Sequence, residues 1–245
     1  MSTRTIVSAV LGAAAGAALV RSARRATASR PAPQAPPNSP DEQSRNAADD
    51  VARRYITWVI MPLWSAVGFL DWLWHRQTSI ETTSGAKESV MHLLMMAEAG
   101  APILIGLLLE MNAGSLALMS AGWLVHDITV ACDVTYTSSR RVIYPREQHT
   151  HSYMQSIPFQ IVATLACLYP DQFLALFGLG AHKPDFRLRW RKPPVPVPQL
   201  LAIIAAMGLL SGLPHLEELM RCLRAQRDGR AGTGIPSCAP ELYSA

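Results

Sequence analysis

Cysteine is scarce and scattered. Cys132, Cys167, Cys222 and Cys238 are the four in the chain, and no two form a Cys-x-x-Cys pair. That spacing excludes a thiolate zinc site and a disulfide framework, and the lack of Cys-x-x-Cys-His excludes covalent c-type haem. Each thiol reads as free and inert. The chain also has no one-sided excess of basic residues. Near the expected helix ends, Arg76, Lys87, Arg140, Arg141, Arg146, Arg221 and Arg224 on one face balance Arg53, Arg54, Lys183, Arg187, Arg189, Arg191 and Lys192 on the other. The net charge of +4 therefore comes from arginines flanking apolar runs, where anionic lipid headgroups attract them. Nucleic-acid binding is not implied.

What the 245 residues do contain is strong segregation. Mean hydropathy is only +0.14, yet apolar runs of membrane length alternate with short segments rich in Arg, Pro, Ser and Thr. This is the pattern of a polytopic, all-α membrane bundle of about five transmembrane helices, with a further short N-terminal anchor as an option. A multi-pass location follows, in the cell inner membrane for a bacterial source, with membrane lipids as neighbours.

Residues 5–20 are apolar, short and rich in Ala and Gly, and arginines flank them. Residues 1–25 thus read either as a signal peptide or as an N-terminal anchor. Residues 26–50 are proline-rich and polar and are expected to form a disordered linker. The membrane domain, residues 51–227, is expected to have spans from about Tyr55 to Trp74, Ala86 to Leu109 and Ala113 to Val134. A fourth runs from Glu147 to Phe177, bent at Pro158 or Pro170. A fifth runs from Gln199 to Leu213 and continues as a polar amphipathic tail through Arg227. Residues 228–245 are expected to be disordered.

The polar residues fall unevenly on this plan. Up-and-down alternation puts His75, His92, His126, His149, His151 and His215 toward one membrane face, and His182 alone toward the other. Carboxylates accompany them. Asp71–His75, Glu88–His92 and Glu147–His151 are each an acid followed four residues later by histidine, a spacing that shares one helix face. Eighteen acids and seven histidines among 245 residues predict about half of one such pair by chance, and three are present. His126 has Asp133 two turns on and Asp127 beside it, and His215 has Glu218. Every expected span therefore contributes an imidazole and a carboxylate to one end of the bundle.

Singly, each of these has an ordinary explanation as an interfacial residue or a helix pair. Six histidines converging from five spans do not, and His92 and His126 lie inside apolar runs, where polar groups are costly. Imidazole and carboxylate without thiolate suit non-haem iron, manganese or zinc. The expected ligands are His75, Glu88, His92, His126, Asp127, Glu147, His149 and His151. Asp71, Glu98, Asp133, His215 and Glu218 are expected to support them. Arg140, Arg141 and Arg146 could hold an anionic substrate headgroup above the site.

In general plan the chain resembles the histidine-box membrane enzymes, the fatty acid desaturases and hydroxylases, which ring a metal pair at one membrane face. Their His-x-x-His-His clusters are missing here, and the nearest match is His149-Thr-His151. No residue role is carried over. The expected function is a metal-dependent membrane oxidoreductase, with one or two non-haem irons, acting as a hydroxylase or desaturase on a lipid or other hydrophobic substrate. An electron-donor protein would then be a partner. Alternatives are a zinc-dependent membrane hydrolase, a protein holding haem b between two histidines such as His92 and His126, and a non-enzymatic metal or proton transporter.

Overall fold

The computed structural model describes residues 40–234, and among them the fold is all-helical. The elements are α1 (Pro40–Tyr55), α2 (Met61–Gln77), α3 (Ala86–Leu108), α4 (Ala113–Thr137), α5 (Pro145–Leu168), α6 (Pro170–Leu176), α7 (Val197–Met207) and α8 (Leu213–Arg227). Four continuous helices are long and apolar enough to cross a membrane: Gln43–Gln77, Ala86–Leu108, Ala113–Thr137 and Val197–Arg227. A fifth crossing results if Pro145–Leu168 and Pro170–Leu176, bent by 107°, are one broken span.

Proline explains how these spans bend or hold. Pro62 and Pro214 lack the N–H that an α-helix needs for the carbonyl four residues back. At both places the backbone widens into one π-helical turn, Ile56–Ile60 before Pro62 and Gly208–Gly212 before Pro214, and the helix continues. Hence α1 and α2 form one helix, as do α7 and α8. At Pro170 no such turn forms and the chain swings sharply, which chooses Pro170 over Pro158 as the bend of the fourth span. Pro158 is accommodated inside α5.

The first span begins earlier than its apolar content suggests. From Pro40 the expected linker is helical, since the segment after the last proline, DEQSRNAADD, holds good helix formers and is tied down. Asp49 accepts from Arg53 (2.7 Å) and from the hydroxyl of Tyr169 (2.7 Å). Buried Arg53 also donates to the carbonyl of Gly106 near the end of α3, capping that helix. The rest of the linker, 26–39, and the N-terminal segment 1–25 lie outside the described residues. At the other end, 228–234 form turns that fold back, with Gly234 N–H donating to Thr82 O (3.0 Å). Residues 235–245 lie outside the description.

Packing divides the bundle by height. α3 lies along α4 and α8, and α2 along α5. Toward the α1 end the interior is apolar, with Ile60, Trp64, Ile103, Leu116, Ile161 and Leu165 nearly inaccessible. Toward the other end the buried side chains are Asp71, His75, Glu88, His92, Asp133, Arg141, Glu147, His215 and Glu218. The outer surface carries Trp58, Ile128, Leu201 and Leu209, each more than half exposed, as expected where the solvent is lipid.

Candidate metal centre

Five helices each lower polar side chains into the same space. The last turns of α2 bring Asp71 and His75, and the first turns of α3 bring Glu88 and His92. The last turns of α4 bring Asp133, the start of α5 brings Glu147 and His151, and α8 brings His215 and Glu218. All but His151, which is partly open, are buried.

Glu218 fixes two of the imidazoles. Its Oε2 accepts from His75 Nδ1 (2.8 Å) and its Oε1 from His92 Nδ1 (3.3 Å). An ionised carboxylate only accepts, so both rings carry a proton on Nδ1, and a neutral ring held this way turns its Nε2 lone pair inward. The two rings stack with centroids 4.5 Å apart and planes 10° from parallel. His215 is set the same way. Its Nδ1 donates to Ser211 O (2.9 Å), inside the widened turn that precedes it, and its Nε2 lies 3.5 Å from Asp71 Oδ2.

The inward atoms form overlapping groups. His75, Glu147 and His151 offer one, with His75 Nε2 3.3 Å from Glu147 Oε1. Asp71 Oδ1 adjoins it, 3.6 Å from His75 Nε2 and 2.7 Å from His151 Nε2. Glu88, His92 and Asp133 offer a second, with His92 Nε2 3.7 Å from Glu88 Oε1 and 3.6 Å from Asp133 Oδ2. Asp71, His75, His92 and His215 make a third between them. Ligand atoms about 2.0–2.2 Å from a cation stand roughly 2.8–3.6 Å from one another along tetrahedral or octahedral edges. The spacings match. Moreover His75 Nε2, His92 Nε2, Asp71 Oδ1 and Asp133 Oδ1 are buried without a hydrogen-bond partner.

Arg141, from the loop between α4 and α5, is the cation of the cluster. Its Nε lies 3.2 Å from both oxygens of Glu88, its Nη2 is 2.5 Å from Glu88 Oε1, and its Nη1 is 2.9 Å from Glu147 Oε2. Nη2 also donates to Glu147 Oε1. Burial opposes its charge, and the Glu147 and Glu88 carboxylates more than offset this, holding the guanidinium above its ordinary value. With all five carboxylates ionised, Asp71, Glu88, Asp133, Glu147 and Glu218 face one arginine. Four negative charges are left over in an enclosed space.

The remaining expectations fare differently. His126 is buried but stands apart from these groups. Its Nδ1 donates to Met95 O (3.2 Å) and its Nε2 is unpartnered. Asp127 is on the outer face of α4, accepting from Gln155 Nε2 (3.1 Å). His149 is exposed, edge-on to Tyr153. None of these three joins the cluster. Glu98, deeper in α3, accepts from Thr129 (2.9 Å). Arg141 is enclosed by glutamates and is not a headgroup ligand. Arg140 lies over the Tyr136 ring and Arg146 over Trp74. Asp71, Asp133 and His215, expected to support the ligands, instead present atoms to the centre itself. Arg141 as an internal counter-ion was not legible, because a loop arginine at a membrane face ordinarily meets headgroups.

No protein family, curated protein or solved structure matches this chain. Fold and site together define an integral membrane helical bundle with a buried histidine and carboxylate cluster that could bind metal.

Proposed function

We propose that the cluster holds two divalent cations, non-haem iron foremost, and that the protein is a membrane metalloenzyme, an oxidoreductase of the hydroxylase or desaturase kind acting on a hydrophobic substrate. One observation carries this reading: five buried carboxylates surround a single arginine, beside imidazole Nε2 atoms that have no hydrogen-bond partner. Each uncompensated buried ion costs several kcal/mol. Two divalent cations remove the imbalance. Four protonated histidines would do the same, since carboxylate oxygens lie 3.3 Å from His75 Nε2 and 3.6 Å from His92 Nε2. The response of stability to a chelator separates the two schemes.

The donor set supports iron or manganese over the alternatives. It is oxygen-rich and hard, with no thiolate, whereas zinc favours fewer ligands with more nitrogen or sulfur. Five acids are a poor lining for a porphyrin, whether the axial pair is His92 and His126 or the stacked His75 and His92, whose rings leave no room between them. Bound iron would supply activation of dioxygen, with electrons from a donor protein. Around it, Glu218 and the Ser211 carbonyl orient the imidazoles, and Arg141 fixes Glu88 and Glu147.

Elemental analysis of the detergent-purified protein, alongside its visible spectrum, tests the proposal. About two irons per chain without a Soret band is the expected result. His92→Gln should lose metal, and His182→Ala, on the opposite face, should keep it. Zinc instead would redirect the chemistry to hydrolysis by a metal-activated water. No metal after expression with iron and zinc supplied would overturn the reading.

A further inference from the structure

Beside the cluster lies a cavity of about 70 Å³ between α2, α3, α4 and α5. Asp71, His92, Asp133 and His151 border it on the side of the candidate centre. The rest of its wall is Trp64, Met95, Met96, Ala99, Val130 and Met154, with His126 among them. At roughly 10–15 Å³ per water-sized group, the space takes about five to seven such groups. That is the size of a short segment of alkyl chain.

The cavity reaches the outer surface between α4 and α5, where Val134 (44% exposed) and exposed Gln155 also line it. Beside that mouth the surface is largely apolar, with Leu124, Ile128 and Phe159 all about half exposed or more. Gln155 lies ten residues into α5, so it is about 15 Å along the helix from the polar end of the bundle, a depth inside a hydrocarbon layer about 30 Å thick if that layer begins near the polar end. An aspartate on a lipid-facing surface at this depth is costly. Asp127 is there nonetheless, hydrogen-bonded to Gln155 across the mouth.

His126 supplies the remaining polarity. With its proton on Nδ1 and donated to the Met95 carbonyl, its buried Nε2 is an acceptor with nothing to accept. The complementary group is a donor, and in a lipid setting that is a hydroxyl.

We propose that a bilayer-resident lipid alcohol with a slender alkyl chain enters sideways between α4 and α5. Its hydroxyl donates to His126 Nε2, and the adjoining chain is presented to the cluster. The proposal rests on the metal reading only for what then happens to the chain. Asp127 and Gln155 latch the portal, and His126 is a positioning residue that selects for the hydroxyl.

The test uses a long-chain alcohol bearing a diazirine on its chain, photolysed with the full-length protein in lipid nanodiscs and mapped by mass spectrometry. Labels are expected on Met95, Met96, Val130 or Met154, and hexadecanol should compete about tenfold better than its methyl ether, the worth of one net hydrogen bond. His126→Phe should abolish that preference. Val130→Trp, and Ala99→Phe from the facing helix, should both lose the internal labels while eluting as the wild type on size exclusion. Labels confined to Leu124 and Ile128, or internal labels unchanged in both filled variants, would overturn the portal. Equal competition by alcohol and ether in the wild type would overturn the role of His126. Metal content is measured in parallel. Internal labelling in a protein without metal would leave the lipid site standing and remove the metal reading alone.

Discussion

At the scale of single residues, the least replaceable group is one that offers no atom of its own to the centre. Glu218 takes the Nδ1 protons of both His75 and His92 and so decides which nitrogens face inward. Glu218→Gln keeps the volume but can point its amide nitrogen at one ring, undoing that choice. Carboxylates in this role are worth about 10–100-fold in metal affinity. A loss of that size is expected by chelator competition, with the histidine ligands all present. An unchanged affinity would mean that the rings are held by packing alone. The same residue shows what spacing could and could not reveal. Asp71–His75 and Glu88–His92 share helix faces and both pairs are in the cluster. The partners are exchanged between helices, however. Asp71 lies closest to His151, and Glu147 reaches His75 and Arg141. His149 and His151 are about 200° apart around their helix, so only one of them can face inward. His126 shares a face with Asp133 but is about 10 Å lower along the axis, out of reach of an ion held at the level of Asp133.

The elements set these side chains through their joints. α8 reaches the cluster only because the helix widens at Gly208–Gly212 and continues past Pro214. That turn sits directly against α2, since a Cβ placed on Gly68 would collide with Ser211 Oγ. Gly208, in the same turn, has open space around it. Gly68→Leu should therefore push the turn outward, carrying the Ser211 carbonyl, His215 and Glu218 away from His75 and His92. Metal retention is expected to fall although no ligand has changed, while Gly208→Leu should retain metal as the wild type does. Equal retention in the two variants would show that α8 is positioned from its far end. The sequence announced the apolar runs and their order, because hydropathy is local. It did not announce the π turns or the helical start at Pro40. The former answer to a missing N–H within an otherwise unbroken apolar run. The latter depends on Tyr169 holding Asp49 and on Arg53 reaching the Gly106 carbonyl, contacts made only after folding.

The whole molecule is a bundle with two interiors, a dry apolar one toward α1 and a charged one toward the α2–α3 and α4–α5 loops. The second needs its carboxylates balanced, so cations bound as proposed would be part of the fold as much as of the chemistry. A ligand bound to the folded state alone stabilises it by about 2.7 kcal/mol when present at 100 times its dissociation constant. Stripping the metal should thus lower Tm in detergent, and restoring iron should recover it. The effect must also depend on pH with a defined sign. Metal ligation requires neutral imidazole and ionised carboxylate, so protons compete with the cations as pH falls. The difference in Tm between loaded and stripped protein should shrink on acidification, because the loaded form releases its ions while protons begin to neutralise the acids of the stripped form. If protonated histidines balanced the charge instead, chelator would leave Tm unmoved at every pH, and the protein would gain stability as pH falls toward the ordinary histidine pKa of about 6.5, with no further gain from these groups below it. The two charge-balancing schemes therefore predict different chelator responses and opposite trends, and one thermal titration with and without chelator separates them.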